Sequence, residues 1–278
     1  MSARHLPAGL GRRPLVVASL GDAARLESDA RRAAQEGADV IEMRADLFGR
    51  AQCKPLALRA LIRAARAASR RNILLTLRRG EEGGGLSKKF REQDRLALIR
   101  AALSEVDGVD VELGADDINS HVVFEAHKRK KFVILSAHDF KRTPDNATLA
   151  RWLTKARRLG GDIVKVACRA ARAADVDRLM AFCKNGNFRR KVFIPMGPLG
   201  RAARANGFLS GSLMTYGYVR KPLAPGQPPV SELAAARRPA RKKATPPRDR
   251  KKATTRASRP AGPRPGRRRR TPAVPRWP

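Results

Sequence analysis

The sequence predicts an α/β fold, a closed (β/α)8 (TIM) barrel followed by a disordered basic C-terminal tail. Three observations predict it. Apolar, β-branched runs alternate with helix-like segments between residues 14 and 236. Strands that are apolar on both faces and separated by helices imply a parallel sheet covered on each side. There are eight such units, the number that closes a barrel, and beyond Arg237 the composition changes abruptly.

The first strand is "PLVVASL" (14–20), with a helix from Asp22 to Glu36 that ends at Gly37. "ADVIEMR" (38–44) follows, then a Leu/Ala/Arg-rich helix with Pro55 at its start and Arg70 at its end; proline suits a first helical turn. "NILLTLR" (72–78) and a helix over Lys88–Glu105 make the third unit, "GVDVEL" (108–113) and Asp116–Lys130 the fourth. The fifth and sixth are "FVILSAH" (132–138) with Asp145–Leu159, and "DIVKVAC" (162–168) with Ala173–Lys184. Asp116 and Asp145 suit helix starts, where an acid meets free amides. "KVFIPM" (191–196) precedes a short helix over Leu199–Ala205, and "FLSGSLMTYG" (208–217) precedes "VSELAAA". An open doubly wound sheet is the competing arrangement, but "SLGDAARLE" after the first strand lacks its Gly-x-Gly-x-x-Gly turn.

Residues 1–13 read as a flexible N-terminus and 14–236 as the catalytic barrel. Residues 237–278 hold nine prolines and 17 Lys/Arg against one acid, Asp249. Such a segment buries too little apolar surface to offset its ordering entropy. The whole chain carries a net charge of +35, of which the tail supplies +16. That excess suggests nonspecific contact of the tail with nucleic acid or another polyanion. Its one aromatic, Trp277, gives no stacking platform for single strands. The three cysteines, Cys53, Cys168 and Cys183, show no metal-type spacing and fit a reduced, cytoplasmic compartment. No apolar run approaches the ~18 residues of a membrane span.

Chemistry in this fold sits at the C-terminal strand ends. Those ends carry Glu42 and Arg44, Arg78, Asp110 and Glu112, His138, Lys165, and Met196. Residues two apart on a strand share a face, which pairs Glu42 with Arg44 and Asp110 with Glu112. Asp110 and Glu112 read as satisfied core acids near the barrel base. Lys165, inside an apolar strand, reads either as an edge lysine reaching water or as a desolvated nucleophile. Its coincidence with His138 on the preceding strand favours the nucleophile.

Several motifs resemble the type I 3-dehydroquinate dehydratases: "EMRAD" (42–46), "TLRRGEEGG" (76–84), "SAHDFKRTP" (136–144), "GDIVKVA" (161–167), "IPMGPLGRAAR" (194–204) and "APGQ" (224–227). The resemblance spans about residues 14–232. It implies a lyase of the shikimate pathway, without metal or cofactor, that takes 3-dehydroquinate to 3-dehydroshikimate in a cytoplasmic homodimer. It aligns Lys165 with the Schiff-base lysine, His138 with the general acid/base, and Glu82 with the acid that orients this histidine. Glu42, Arg44 and Arg78 match groups around the ring hydroxyls. Arg204 and Gln227 match those around the carboxylate, and Met196 and Tyr216 match positions packing on the ring. Ser19 matches a polar contact. Ala203 and Leu223 stand where the family often has serine. Arg44, Arg78 and burial are expected to act together to favour a neutral Lys165. The alternatives are another Schiff-base barrel enzyme of the class I aldolase type, and a polyanion-binding protein acting through its tail.

Overall fold

The computed structural model describes residues 6–86 and 90–237. Eight strands and eight helices alternate along the chain: β1 (Leu15–Leu20), α1 (Leu26–Gln35), β2 (Val40–Arg44), α2 (Pro55–Ser69), β3 (Asn72–Thr76), α3 (Glu92–Ala102), β4 (Gly108–Glu112), α4 (Asn119–Lys128), β5 (Phe132–Asp139), α5 (Asn146–Arg158), β6 (Ile163–Arg169), α6 (Ala173–Asn185), β7 (Lys191–Met196), α7 (Arg201–Asn206), β8 (Met214–Gly217) and α8 (Val230–Ala236). The strands pair in parallel, in the order β7-β6-β5-β4-β3-β2-β1-β8. A parallel bridge between Lys191 and Ser212, just ahead of β8, nearly closes the ring. The fold is thus the expected (β/α)8 barrel.

Strand alternation divides the apolar residues into two layers. Leu15, Val17, Val40, Leu74, Phe132, Ile134, Ile163 and Val192 fill the lumen, while Val16, Ile41, Ile73, Val109, Val133 and Val164 face the helices. All are fully buried, and each such side chain contributes roughly 1.5–3 kcal/mol over its exposed state. Leu6 and Leu10 pack against the lumen residues. Residues 6–13, the described part of the 1–13 segment read from sequence as a flexible N-terminus, form turns pinned by Leu10 N to Pro7 O and by Arg13 to Asp39.

The register sets the site. Glu112, Ser136 and Lys165 are successive partners across β4, β5 and β6, so they share one level and one face. Thr76 partners Asp110, and Ser19 partners Glu42. Lumen-facing positions are therefore apolar below and polar toward the strand C-termini.

Some boundaries differ from the sequence reading. Strand β8 begins at Met214, because Gly207–Ser210 form a 3₁₀ turn that leaves Leu209 exposed. Asp145 caps α5 by accepting from Thr148 N (2.7 Å), whereas α4 starts at Asn119 and Asp116 instead pairs with Lys155. The expected third helix begins later, at Glu92. Arg237, assigned by composition to the tail, donates to Asp39 and to the Gly37 carbonyl and so belongs to the barrel. The rest of the expected tail, and the polyanion contact assigned to it, lie outside the described residues.

Candidate active site

All eleven residues singled out by sequence line one cavity at the C-terminal mouth: Ser19, Glu42, Arg44, Arg78, Glu82, His138, Lys165, Met196, Arg204, Tyr216 and Gln227. The cavity measures about 90 Å³, room for a small metabolite and not for a polymer. A wider open hollow of about 1000 Å³ adjoins it along the β1–α1 and β8–α8 loops, but that hollow contains neither Lys165 nor His138.

Lys165 reaches the lumen from the middle of β6 and is 4 % exposed. Its Nζ donates to Asp110 Oδ2 at 2.8 Å, lies 3.6 Å from Glu42 Oε1, and sits 4.3 Å above the centre of the Tyr216 ring. Two sequence expectations are corrected here. Asp110 and Glu112 are not at the base; Glu112 ends β4 at the mouth and Asp110 holds the lysine. Nor do Arg44 and Arg78 act on Lys165 alone, since carboxylates stand closest to it. Tyr216, expected along the substrate ring, lines this cavity and also presents its face to the ammonium.

Arg78 spends its donors on the protein. Nη1 donates to Glu112 (2.8 Å) and Ser136 (2.7 Å), and Nη2 to Asp110 (2.9 Å). Burial disfavours the Arg78 charge, but Asp110 and Glu112 outweigh it and raise the guanidinium above its ordinary value. Burial likewise works to raise the Asp110 carboxyl, but Arg78 and Lys165 beside it hold it well below the usual carboxylate range. Beside Arg78 and the Lys165 ammonium, Asp110 is therefore held as the anion. Arg44 makes a two-pronged pair with Asp46 (2.9 and 2.8 Å), the local ion pair its spacing allows. Ser19 Oγ and Thr76 Oγ1 both donate to Glu42 (2.6 and 2.9 Å), which fixes that carboxylate against the wall.

His138 closes β5. Its Nδ1 and its own backbone N both meet Glu82 Oε2 at 2.9 Å, which holds the ring in place and leaves Nε2 for a substrate. Burial, reinforced by Arg78 and Lys165, holds the imidazolium well below the ordinary histidine value. The ring is then a neutral base at neutral pH. Burial also pushes the Glu82 carboxyl up to about 7, against the pull of Arg78. Glu82 sits on the 3₁₀ turn Gly80–Glu82, and the glycines after it allow that turn to fold tightly. A Cβ on Gly84 would stand 1.9 Å from the Arg78 carbonyl oxygen, so only glycine fits there.

On the far side, Arg204 is 4 % exposed and has no carboxylate partner among the described residues. It donates to the carbonyls of Pro195 (3.2 Å) and Pro225 (2.7 Å), and burial lowers it to about 10. A buried cation without a counter-ion suits an anionic ligand, and its planar fork suits a carboxylate. Gln227 Oε1 accepts from Leu223 N (2.8 Å), which leaves its amide NH2 to donate. Arg204 stands on α7, and the β8–α8 loop carrying Leu223 and Gln227 lines the cavity. Gly226 (φ 69°) rests against Gly197, where a Cβ would lie 2.2 Å from the carbonyl oxygen.

Sequence reasoning missed Asp110 as a site residue, together with Phe140, Ala167 and Ile194 in the lining. The parity of Asp110 with Glu112 was a usable signal; its height in the barrel was not.

Residues 15–241 match the type I 3-dehydroquinase family. A 3-dehydroquinate dehydratase of Methanothrix thermoacetophila is 37 % identical over 229 residues, covering 81 % of this chain and 91 % of that protein. One from Methanococcoides burtonii is 33 % identical, covering 82 % and 94 %. Among solved structures, the type I 3-dehydroquinate dehydratase of Clostridium difficile with covalently modified comenic acid superposes with a TM-score of 0.76 at 26 % identity, over 85 % of this chain and 96 % of that one. With a barrel, a buried lysine and a histidine–carboxylate pair in one cavity, the chain belongs to the type I 3-dehydroquinase family.

Proposed function

We propose that the chain dehydrates 3-dehydroquinate to 3-dehydroshikimate and water through a Schiff base on Lys165. The observation that carries this reading is Lys165 Nζ, buried and 2.8 Å from Asp110, in the same small cavity as His138 held by Glu82.

Lys165 becomes a nucleophile once its ammonium loses a proton. Asp110 does not take that proton, since it stays ionised; the proton leaves through the cavity mouth. The free amine attacks the C3 ketone and a C–N bond forms; both amine protons pass to the carbonyl oxygen, the C–O bond breaks and water departs, and one proton returned from solvent makes the imine an iminium. The iminium draws electron density from C2. His138 Nε2 takes the C2 proton, and the electron pair moves into an enamine. The same imidazolium then protonates the C1 hydroxyl, which leaves as water while the pair re-forms the iminium. Water hydrolyses that iminium to the product ketone, returns the amine and releases one proton to solvent. One water is consumed and two are released, for a net loss of one. A positioned acid/base of this kind contributes about 10²–10⁴ in rate. Arg204 and Gln227 hold the carboxylate, Glu42 and Arg44 the ring hydroxyls, with Ser19 behind Glu42 and Met196 along the ring.

A class I aldolase that grips a phosphate after β7 is disfavoured by the same loop: Gly197 N already donates to Pro225 O (3.2 Å) and Gly200 N to Gly197 O (3.2 Å), so these amides are not free for phosphate. A homodimer and a cytoplasmic location belong to this reading through the family resemblance. The three free thiols, two of them buried, are consistent with a reducing compartment. Among the described residues no helix is long and apolar enough to cross a membrane. Contact of the tail with polyanions rests on its charge of +16.

The deciding experiment is borohydride reduction in the presence of 3-dehydroquinate, followed by peptide mapping. The label is expected on Lys165 and absent from Lys165→Ala, which has no turnover. A label on another lysine, or an active Lys165→Ala, refutes the reading.

A further inference from the structure

We propose that Arg95, on helix α3 outside the lumen, is a positioning residue for Lys165: it completes a chain of buried charges that sets how firmly the nucleophile is held. The inference rests on the Schiff-base reading.

Arg95 lies in the apolar stripe of α3 with Ile99 and Ala102 and is 1 % exposed. Its Nη2 donates to Glu112 Oε2 at 2.5 Å. The other oxygen of Glu112 accepts from Arg78 Nη1 (2.8 Å) and from the Arg79 amide (3.2 Å). Arg78 in turn holds Asp110, and Asp110 holds Lys165. Glu42, 3.6 Å from Lys165 Nζ, ends the chain. The six charges alternate in sign and sum to zero, and every side chain in the series is 5 % exposed or less.

Stability alone does not explain a guanidinium at this point. Well-packed apolar residues often replace buried ion pairs at no cost. Here Arg95 Nε and Glu92 Oε2 are both buried with no partner among the described residues, so the local fit on α3 is poor. The pairing instead does something for Arg78. Glu112 and Asp110 compete for that guanidinium. With Arg95 present, Glu112 has a cation of its own and Arg78 is shared with Asp110. Without it, the buried cluster carries an uncompensated negative charge, Arg78 is drawn to Glu112, and Asp110 binds the Lys165 ammonium more tightly. The amine is then harder to free.

The other charged or titratable groups facing these two residues keep their identity under the substitution. Around Lys165 they are Glu42 on β2, Arg78 after β3, Asp110 on β4, His138 on β5 and Tyr216 on β8. Around Arg95 they are Glu92 on α3, Arg79 after β3 and Glu112 on β4.

The test compares Arg95→Gln, Arg95→Lys and the double variant Arg95→Gln/Glu112→Gln in the full chain. Each is checked for fold by circular dichroism, then assayed for kcat, KM and the pH dependence of borohydride trapping. Arg95→Gln is expected to lower kcat about tenfold with KM within a few-fold, and to move the trapping midpoint up by about one pH unit. Arg95→Lys restores most of the loss, and so does the double variant, which removes both charges and returns Arg78 to Asp110. A folded Arg95→Gln with the parent's kcat and trapping profile overturns the inference. A double variant no better than the single one also overturns it. If both glutamine variants fail to fold while Arg95→Lys behaves as the parent, Arg95 is structural and the inference falls. Absence of trapping in the parent would instead refute the Schiff-base reading itself.

Discussion

Replacing Asp110 by Asn tests whether the buried charges around Lys165 are balanced as the geometry indicates. Asp110 is 1 % exposed and accepts from Arg78, Ser136 and Lys165 at 2.9, 2.6 and 2.8 Å. Asparagine keeps the shape and one acceptor but removes the charge, and it turns an NH2 toward the ammonium. Breaking a buried ion pair by removing one partner costs about 3–5 kcal/mol, since the other charge stays buried without compensation. A domain of this size loses about 2–4 °C in Tm per kcal/mol, so the melting temperature should fall by about 6–20 °C. Thermal unfolding followed by far-UV circular dichroism measures this. The double variant Asp110→Asn/Lys165→Met should recover several degrees, because it removes the stranded cation as well. In Asp110→Asn the lysine also loses its nearest anion, so borohydride trapping should reach its half-point at a lower pH than in the parent. An Asp110→Asn protein that melts within about 2 °C of the parent, or a double variant with no recovery, would refute the charge-balance argument.

The remaining predictions concern the other working parts. His138→Ala should still trap at Lys165 but turn over at least about 100-fold more slowly, as single-turnover kinetics would reveal; a normal rate removes His138 from the mechanism. In the parent, the acid limb of kcat should lie well below the ordinary histidine range, because burial, Arg78 and Lys165 keep His138 neutral until the medium is distinctly acidic; a limb at or above neutral pH contradicts this. Arg204→Met should raise KM roughly 10–100-fold, the value of a charge-assisted hydrogen bond, with kcat within a few-fold; a fall confined to kcat would place Arg204 elsewhere. Removal of residues 238–278 should leave kcat/KM within a few-fold while abolishing most DNA binding. The parent's binding should fall with salt at a log–log slope of roughly −0.9 per phosphate contact. Full retention of affinity would move the basic site to the barrel.

Sequence reads strands well when burial on both faces leaves unbroken apolar runs, and it reads functional side chains when they interrupt such runs. Lys165 and His138 were visible for that reason. Phe208 and Leu209 misled because apolarity alone does not separate a buried strand from an exposed turn. Asp110 was placed on the correct face by its parity with Glu112. Its height relative to Lys165 depends on the stagger among β4, β5 and β6, which no single strand encodes. Arg95 was legible only as an arginine in an apolar helical stripe. Its partner stands 17 residues away on β4, and nothing local points to it.

The packing of Leu6 and Leu10 beneath the lumen gives the barrel a floor. Above that floor the inner strand residues are buried up to the level of Lys165, so among the described residues the reaction chamber opens at the C-terminal mouth. Through it must pass the substrate, the product, the proton that frees the amine, and three waters per turnover. Two are expelled and one is admitted to undo the imine. The admitted water enters a chamber where a water has just been made. Oxygen isotope partitioning can therefore separate two kinds of traffic. Single turnovers of substrate carrying ¹⁸O in its C1 hydroxyl, run in ordinary water, measure how often the C3 carbonyl of the product takes its oxygen from the hydroxyl just lost by C1 and how often from the rest of the water. A doorway slower than imine hydrolysis would leave part of the C1 label in the product.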